Sequence, residues 1–235
     1  MTGNIPTIAV MRECSEVDDA TVNRWCEATQ AFIDRVFGPI WGYATIVFVK
    51  GGQPIPVGAW QCAILDNSDQ ADALGYHDVT AEGLPVIKVF AGDTIRFNGK
   101  PSVTFTHEIS ETIGDPECNL TVRVTESDGS VYDYAKENAD SCEDDRFSFT
   151  LPDFPDVPIT AIALPSWFDP NGKAPYTYPV IAAIDAPFKL ASGGYIGRRQ
   201  VSPVSGQWTQ VMADSSPRQV KGPQSRTMRR FNSGL

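Results

Sequence analysis

The chain has 235 residues, 42% of them hydrophobic and 10% aromatic, with a formal net charge of -10 and a pI near 4.6. This is enough apolar material for one main domain with an appendage or for two modest domains, and it excludes a disordered chain. The acidity argues against nucleic acid as a partner for the body of the protein.

The first eight-residue apolar segment, Ile5 to Arg12, reads as a strand. The segment 15–38 then carries Val22, Trp25, Cys26, Thr29, Ile33, Val36 and Phe37 on one helical stripe. Ser15 and Asp18 are its capping residues, and Gly38 and Pro39 are expected to end it. Three β-rich runs follow: YATIVFVKGG, VGAWQCAILD and LPVIKVFAG. The polar stretch 66–83 before the third is expected to be turns, with His77 between two strands as a hydrogen-bonded structural histidine, or second as a cleft residue. A helix holding the segment FTHEISETIGDPEC comes next, stopped by Gly114 and Pro116. Strand, helix, several strands and a further helix give an α+β order with one mixed sheet.

The second half differs in texture. Short strands joined by Asp128-Gly129 precede an acid-rich loop, and the Pro-punctuated, aromatic stretch 159–195 is expected to be irregular, packed loops. The charge is uneven. From Arg198 onward there are seven Arg or Lys and a single acid, Asp214, a net of +6, which leaves -16 on residues 1–197. Ser, Pro, Gln, Gly and Arg dominate this end, so 198–235 is expected to be a basic, extended tail. The five cysteines (14, 26, 62, 118 and 142) show no CxxC spacing and read as buried thiols. Cys118 and Cys142 lie beside carboxylate clusters that could bring them together. No apolar run approaches the ~20 residues of a membrane helix, and the first residues lack the features of a signal peptide. A cytoplasmic site of synthesis is expected.

The chemistry concentrates at residues 105–118. At about 100° per residue, His107, Glu111 and Asp115 fall within about 80° of one another, with Glu108 at the border. Phe105, Ile109 and Ile113 take the opposite side. An i, i+4 pair is how one helix offers two lone pairs to a divalent metal, and in HExxH the intervening Glu activates a water. Here His107 and Glu111 would be the pair and Glu108 the general base. The competing reading is a helix with an ordinary solvated polar face. With only two histidines, a site here has to be rich in carboxylates. The loop segment AKENADSCEDD places Glu137, Asp140, Glu143, Asp144 and Asp145 within nine residues, either as a solvated loop or as the rest of a metal shell.

The segments HEISETIGDP, YAKENADSCEDDRFSF, ALPSWFDP and APFKLASGGY, in that order, resemble a family of uncharacterised proteins of tailed bacteriophages and prophages. GAWQCAILDNSDQADALGYHD and LPVIKVF share the resemblance, which spans roughly residues 8–195. The HExxE and Glu-x-x-Asp elements are also similar to wider groups of bacterial and plant extracellular proteins with a zincin-like core. The resemblance implies a zincin-like globular body at 1–197, with sheet and site helix in 1–117 and a loop-rich subdomain in 118–197. It carries over His107, Glu108, Glu111 and Asp115 on the site helix and Glu137 and Asp140 in the loop. Where that family often has a Cys before the loop Asp, this chain has Ala139, with Cys142 three residues on.

Three functions follow as expectations. The first is a virion structural or accessory protein of capsid, neck or tail, made in the bacterial cytoplasm and carried into the particle, with zinc or calcium locking loops. Its basic tail would dock on other virion proteins, on further copies of itself or on packaged DNA. The second is an active metallopeptidase acting on the host envelope or a phage precursor, with Glu108 as base and His107, Glu111 and an acid from Asp115 or the loop as ligands. Carboxylate ligands weaken the Lewis acidity of the metal, which tips the balance toward the structural role. The third is a calcium-stabilised binding module without catalysis.

Overall fold

The structure is a computed structural model and describes residues 5–70, 73–201, 207–214 and 217–219. In chain order the elements are β1 (Thr7–Arg12), α1 (Asp19–Phe32), α2 (Gly38–Trp41), β2 (Thr45–Val49), β3 (Trp60–Leu65), β4 (Gly75–Val79), β5 (Pro85–Phe90), α3 (Ala91–Arg96) and α4 (Pro101–Gly114). Then come β6 (Thr121–Thr125), β7 (Val131–Ala135), β8 (Phe149–Leu151), β9 (Phe154–Ile159), β10 (Ile162–Ala163), β11 (Thr177–Tyr178), β12 (Tyr195–Gln200), β13 (Thr209–Met212) and β14 (Pro217–Gln219). The class is α+β. The chain forms two compact units, Met1–Glu117 with Ser148–Thr160, and Cys118–Phe147 with Ala161–Leu235.

The first unit is built on a five-stranded mixed sheet in the order β2-β1-β3-β5-β4. β1 runs parallel to β2 and β3, β3 runs parallel to β5, and β4 closes one edge antiparallel to β5. Parallel strands are covered on both faces, and the sequence shows it: Ile8, Ala9 and Val10 are consecutive and all fully buried. Ala9 packs with Val49 and Ala59, and Met11 and Val47 join that cluster. Helices α1 and α4 meet each other through Trp25 and Phe105, whose ring centroids are 6.2 Å apart. Phe32 at the end of α1 meets Phe149 of β8 edge-on at 5.7 Å.

The amphipathic helix begins where the sequence places it, with Asp18 accepting a hydrogen bond from the Thr21 N–H at 2.7 Å. Ser15 instead donates to Asp66, outside the cap. The helix also overruns its expected stop. After α1 a π-helical turn, Ile33–Phe37, carries the chain into α2, which ends only at Gly42 with φ 125°. A proline ring clashes with the carbonyl four residues back, and the wider turn, closed by Gly38 N–H on the Ile33 carbonyl, lets Pro39 pass.

The stretch expected to be turns contains β4. Gly75–Val79 has too little apolar content to announce a strand. It is held by its pairing with β5 in the register Gly75↔Val89 and His77↔Ile87, through a turn in which Thr80 N–H donates to the Leu84 carbonyl at 2.8 Å. His77 is therefore a strand residue, not a loop residue. The short helix α3 was likewise not legible in the sequence.

The second unit keeps the stretch between β9 and β12 irregular, as expected, broken only by the short strands β10 and β11 and a 3-10 turn at Pro165–Phe168. Its five-stranded antiparallel sheet has the order β14-β13-β12-β7-β6. The Asp128-Gly129 turn does join β6 to β7, with Glu126 N–H on the Ser130 carbonyl at 2.8 Å. Asp133 on β7 accepts from Arg123 of β6 on both oxygens, at 2.8 and 3.1 Å, and from Arg199 of β12 on the second of them at 3.2 Å. Arg198 lies 4.3 Å from the centroid of the Tyr132 ring. Arg198 and Arg199, grouped with the tail by composition, are thus members of β12, the central strand of this sheet, because an arginine pair serves a strand beside a buried acid as well as it serves an extended arm. Within the expected tail, residues 202–206, 215–216 and 220–235 lie outside the described residues. Trp167 anchors the other half of this unit. It is fully buried, its Nε1–H donates to the Lys189 carbonyl at 2.8 Å, and its ring lies 5.4 Å from that of Phe188.

Candidate metal centre

Helix α4 starts at Pro101, whose missing N–H costs nothing in the first turn. Phe105, Ile109 and Ile113 are buried as their stripe requires. His107 is 6% exposed, Glu108 6% and Glu111 2%, so the solvated-face reading does not hold. The helix tolerates burial because its small polar residues bond inward. Thr112 donates to the Glu108 carbonyl at 2.6 Å, and Ser102 donates to the Pro158 carbonyl at 2.9 Å. Thr106 lies 3.0 Å from the Ser102 carbonyl and accepts from the Thr160 N–H at 2.9 Å.

Strand β4 supplies the facing wall. Gly75 and His77 lie two apart, on one side of the strand. Gly75 gives Glu108 its room: a Cβ there would stand 2.8 Å from Glu108 Oε1 and 2.9 Å from Glu108 Cγ. His77 is fully buried, with its Nδ1 3.5 Å from Glu108 Oε2 and 3.6 Å from Glu111 Oε2. His107 Nε2 is 3.3 Å from the other oxygen of Glu111, Oε1. Both histidines of the chain therefore stand against Glu111. These separations exceed the usual 2.7–3.2 Å of an N–H···O bond. They match the edge of a tetrahedron of ligands around a zinc-sized ion, about 3.3–3.5 Å for bonds near 2.0–2.1 Å.

Buried His and Glu side chains are thus grouped so that they could hold a metal ion. The sequence brought His107, Glu108 and Glu111 together on helical spacing alone. It missed His77 as a member, and the one signal available was that a chain with a His-Glu helix has a single other histidine. Asp115 is fully buried at the C-cap of α4, its N–H donating to the Glu111 carbonyl at 2.7 Å, and it belongs to no metal-type grouping among the described residues.

The acidic loop of the second unit divides. Glu137 is 3% exposed and Asp140, which opens a 3-10 turn with Ser141 and Cys142, is 6% exposed, while Glu143 is exposed and Asp144 is paired with Arg146. The loop is held tightly. Ala163 N–H donates to the Asn138 carbonyl at 2.6 Å and Ala191 N–H to the Ser141 carbonyl at 3.0 Å, and a Cβ on Gly194 would stand 2.2 Å from the Ser141 oxygen. Glu137 and Asp140 are therefore set apart from the solvated acids that follow them. Cys118 and Cys142 are buried and are not joined in a disulfide, and Cys14, Cys26 and Cys62 are buried as well.

No family model, no curated protein and no solved structure matches the chain. No helix among the described residues is long and apolar enough to cross a membrane. What the fold and the site define by themselves is an α+β protein with a buried His/Glu grouping suited to a divalent cation.

Proposed function

We propose that this protein is a metal-stabilised structural protein. The observation that carries this reading is that His77 and His107 stand at ligand-like spacing from the two oxygens of Glu111, with Glu108 beside His77 and every one of them buried. Structural metal sites are closed, whereas catalytic ones keep a position open to water and substrate. Glu108 has one oxygen packed close to Gly75 and the other facing His77, which suits a ligand or a support more than a base aimed at a substrate. Two imidazole nitrogens in the set favour zinc or another transition ion over calcium, which takes oxygen ligands. Glu137 and Asp140, expected as further ligands from the sequence, are retained as part of this proposal. So are the zincin-like character of the first unit and the role in a phage particle, both of which rest on the resemblance.

Metal analysis of the purified full-length chain, followed by thermal unfolding with and without chelator, tests the reading. We expect bound divalent metal and a fall in Tm of several degrees on its removal, the size given by binding to the folded state alone. Glu111→Gln is expected to lose the metal. Metal-free protein whose Tm moves with neither chelator nor added zinc would overturn the proposal. An active peptidase is the second reading, kept because Glu108 neighbours the helical His. It requires cleavage of a peptide library that Glu108→Gln abolishes. The assembly role predicts that a chain lacking residues 202–235 folds but no longer enters particles.

A further inference from the structure

We infer that the site takes two divalent ions, with Glu111 as the bridge between them. This rests on the metal-binding reading above and makes it specific. The two oxygens of Glu111 face different imidazoles: Oε1 lies 3.3 Å from His107 Nε2, and Oε2 lies 3.6 Å from His77 Nδ1. Each separation fits one edge of a coordination sphere. The two histidines do not fit the same sphere. His77 and His107 fall with Glu111 in separate groupings, and among the described residues no set of donors within 4.8 Å of one another contains both. Two donors on one zinc-sized ion can be at most about 4.2 Å apart, twice the metal–nitrogen bond. A single ion thus leaves one histidine out, while two ions use both.

A carboxylate that binds one metal through each oxygen is how two-ion sites hold their metals about 3.5–4 Å apart. Glu111 is placed for this, 2% exposed and held in the last turn of α4 with His107 one turn before it and His77 on the facing strand. Glu108 Oε2, 3.5 Å from His77 Nδ1, puts a second negative charge beside the His77 position.

The test is stoichiometry on the full-length, metal-stripped protein, titrated with Co2+ and with Zn2+ and followed by calorimetry and by native mass spectrometry. Wild type is expected to bind two equivalents. His107→Gln and His77→Gln, which keep a polar side chain of similar length, are each expected to bind one, and Glu111→Gln is expected to lose the pair. Circular dichroism establishes that each variant is folded. His107→Gln, at the less deeply buried position, keeps the test alive should the His77 variant misfold. Paired Mn2+ ions would in addition show the spin coupling of a bridged pair in wild type, lost in either histidine variant. One equivalent in wild type overturns the inference and leaves the metal-binding reading standing. Two equivalents that survive both histidine substitutions overturn it as well, by putting the second ion elsewhere. No binding at all overturns both.

Discussion

Replacing Gly75 by alanine adds one methyl group at the tightest place in the site. The new carbon would lie 2.8 Å from Glu108 Oε1, 2.9 Å from Glu108 Cγ and 3.0 Å from Thr104 Cγ2. Unstrained contacts between carbon atoms lie near 3.5–4.0 Å, so Glu108 has to withdraw by roughly 0.5–1 Å. Thr104 blocks part of the space, and β4 is tied to β5 by its ladder. Overpacking of this kind costs about 1–3 kcal/mol. Displacing a group that supports a metal site weakens metal affinity by roughly 10–100-fold. Both quantities are measurable on the full-length chain, by urea denaturation of the metal-free form and by calorimetric zinc titration. Gly51→Ala is the control, because a Cβ there meets nothing within 4 Å. The cause is isolated by a double-mutant cycle: in a Glu108→Ala background the Gly75→Ala cost should fall by at least half, since its main clash partner is gone. Gly75→Ala with wild-type midpoint and wild-type zinc affinity would refute the placement of β4 against α4, and with it the role of the strand in building the site.

Two further measurements probe the rest of the molecule. Burial pushes the Asp133 carboxyl up, but the guanidiniums of Arg123 and Arg199 more than reverse this and hold it below its ordinary 3.8. A depressed carboxylate stabilises the fold above its unfolded pKa, and that contribution is lost as pH falls through the folded value. Asp133→Asn should therefore be clearly less stable than wild type at neutral pH, with the gap narrowing from about pH 5 toward about pH 3; a gap constant with pH would count against the ion cluster. Burial raises the Cys26 thiol to about 12 and Cys62 well above its ordinary value. Because the thiolate is the reactive form, only about 10⁻⁴ of Cys26 is reactive at pH 8, and native protein should resist a thiol reagent for hours while denatured, unreduced protein yields all five thiols. Three thiols in the denatured sample would reveal a disulfide that the folded structure lacks.

The sequence determined by itself what local periodicity can encode. β1, β2, β3 and β5 are short runs dominated by apolar and β-branched residues, α1 has a stripe and a capping Asp, and α4 has a three-residue apolar line with His107 and Glu111 one turn apart on another side. Each is a property of neighbours in the chain, which backbone geometry converts directly into a face. Tertiary structure decided whatever depends on a distant partner. β4 exists because β5 offers it a ladder, the arginines at 198 and 199 joined a sheet because Asp133 and the Tyr132 ring were there to receive them, and the polar face of α4 was buried because β4 covers it. His77 is the clearest case. It is thirty residues from His107, and nothing in the spacing of two lone histidines says that a sheet edge and a helix will set both against the two oxygens of one glutamate. Ligand sets assembled from separate elements are written in the packing, because convergence of lone pairs is a condition on space and the chain order carries only a fraction of it.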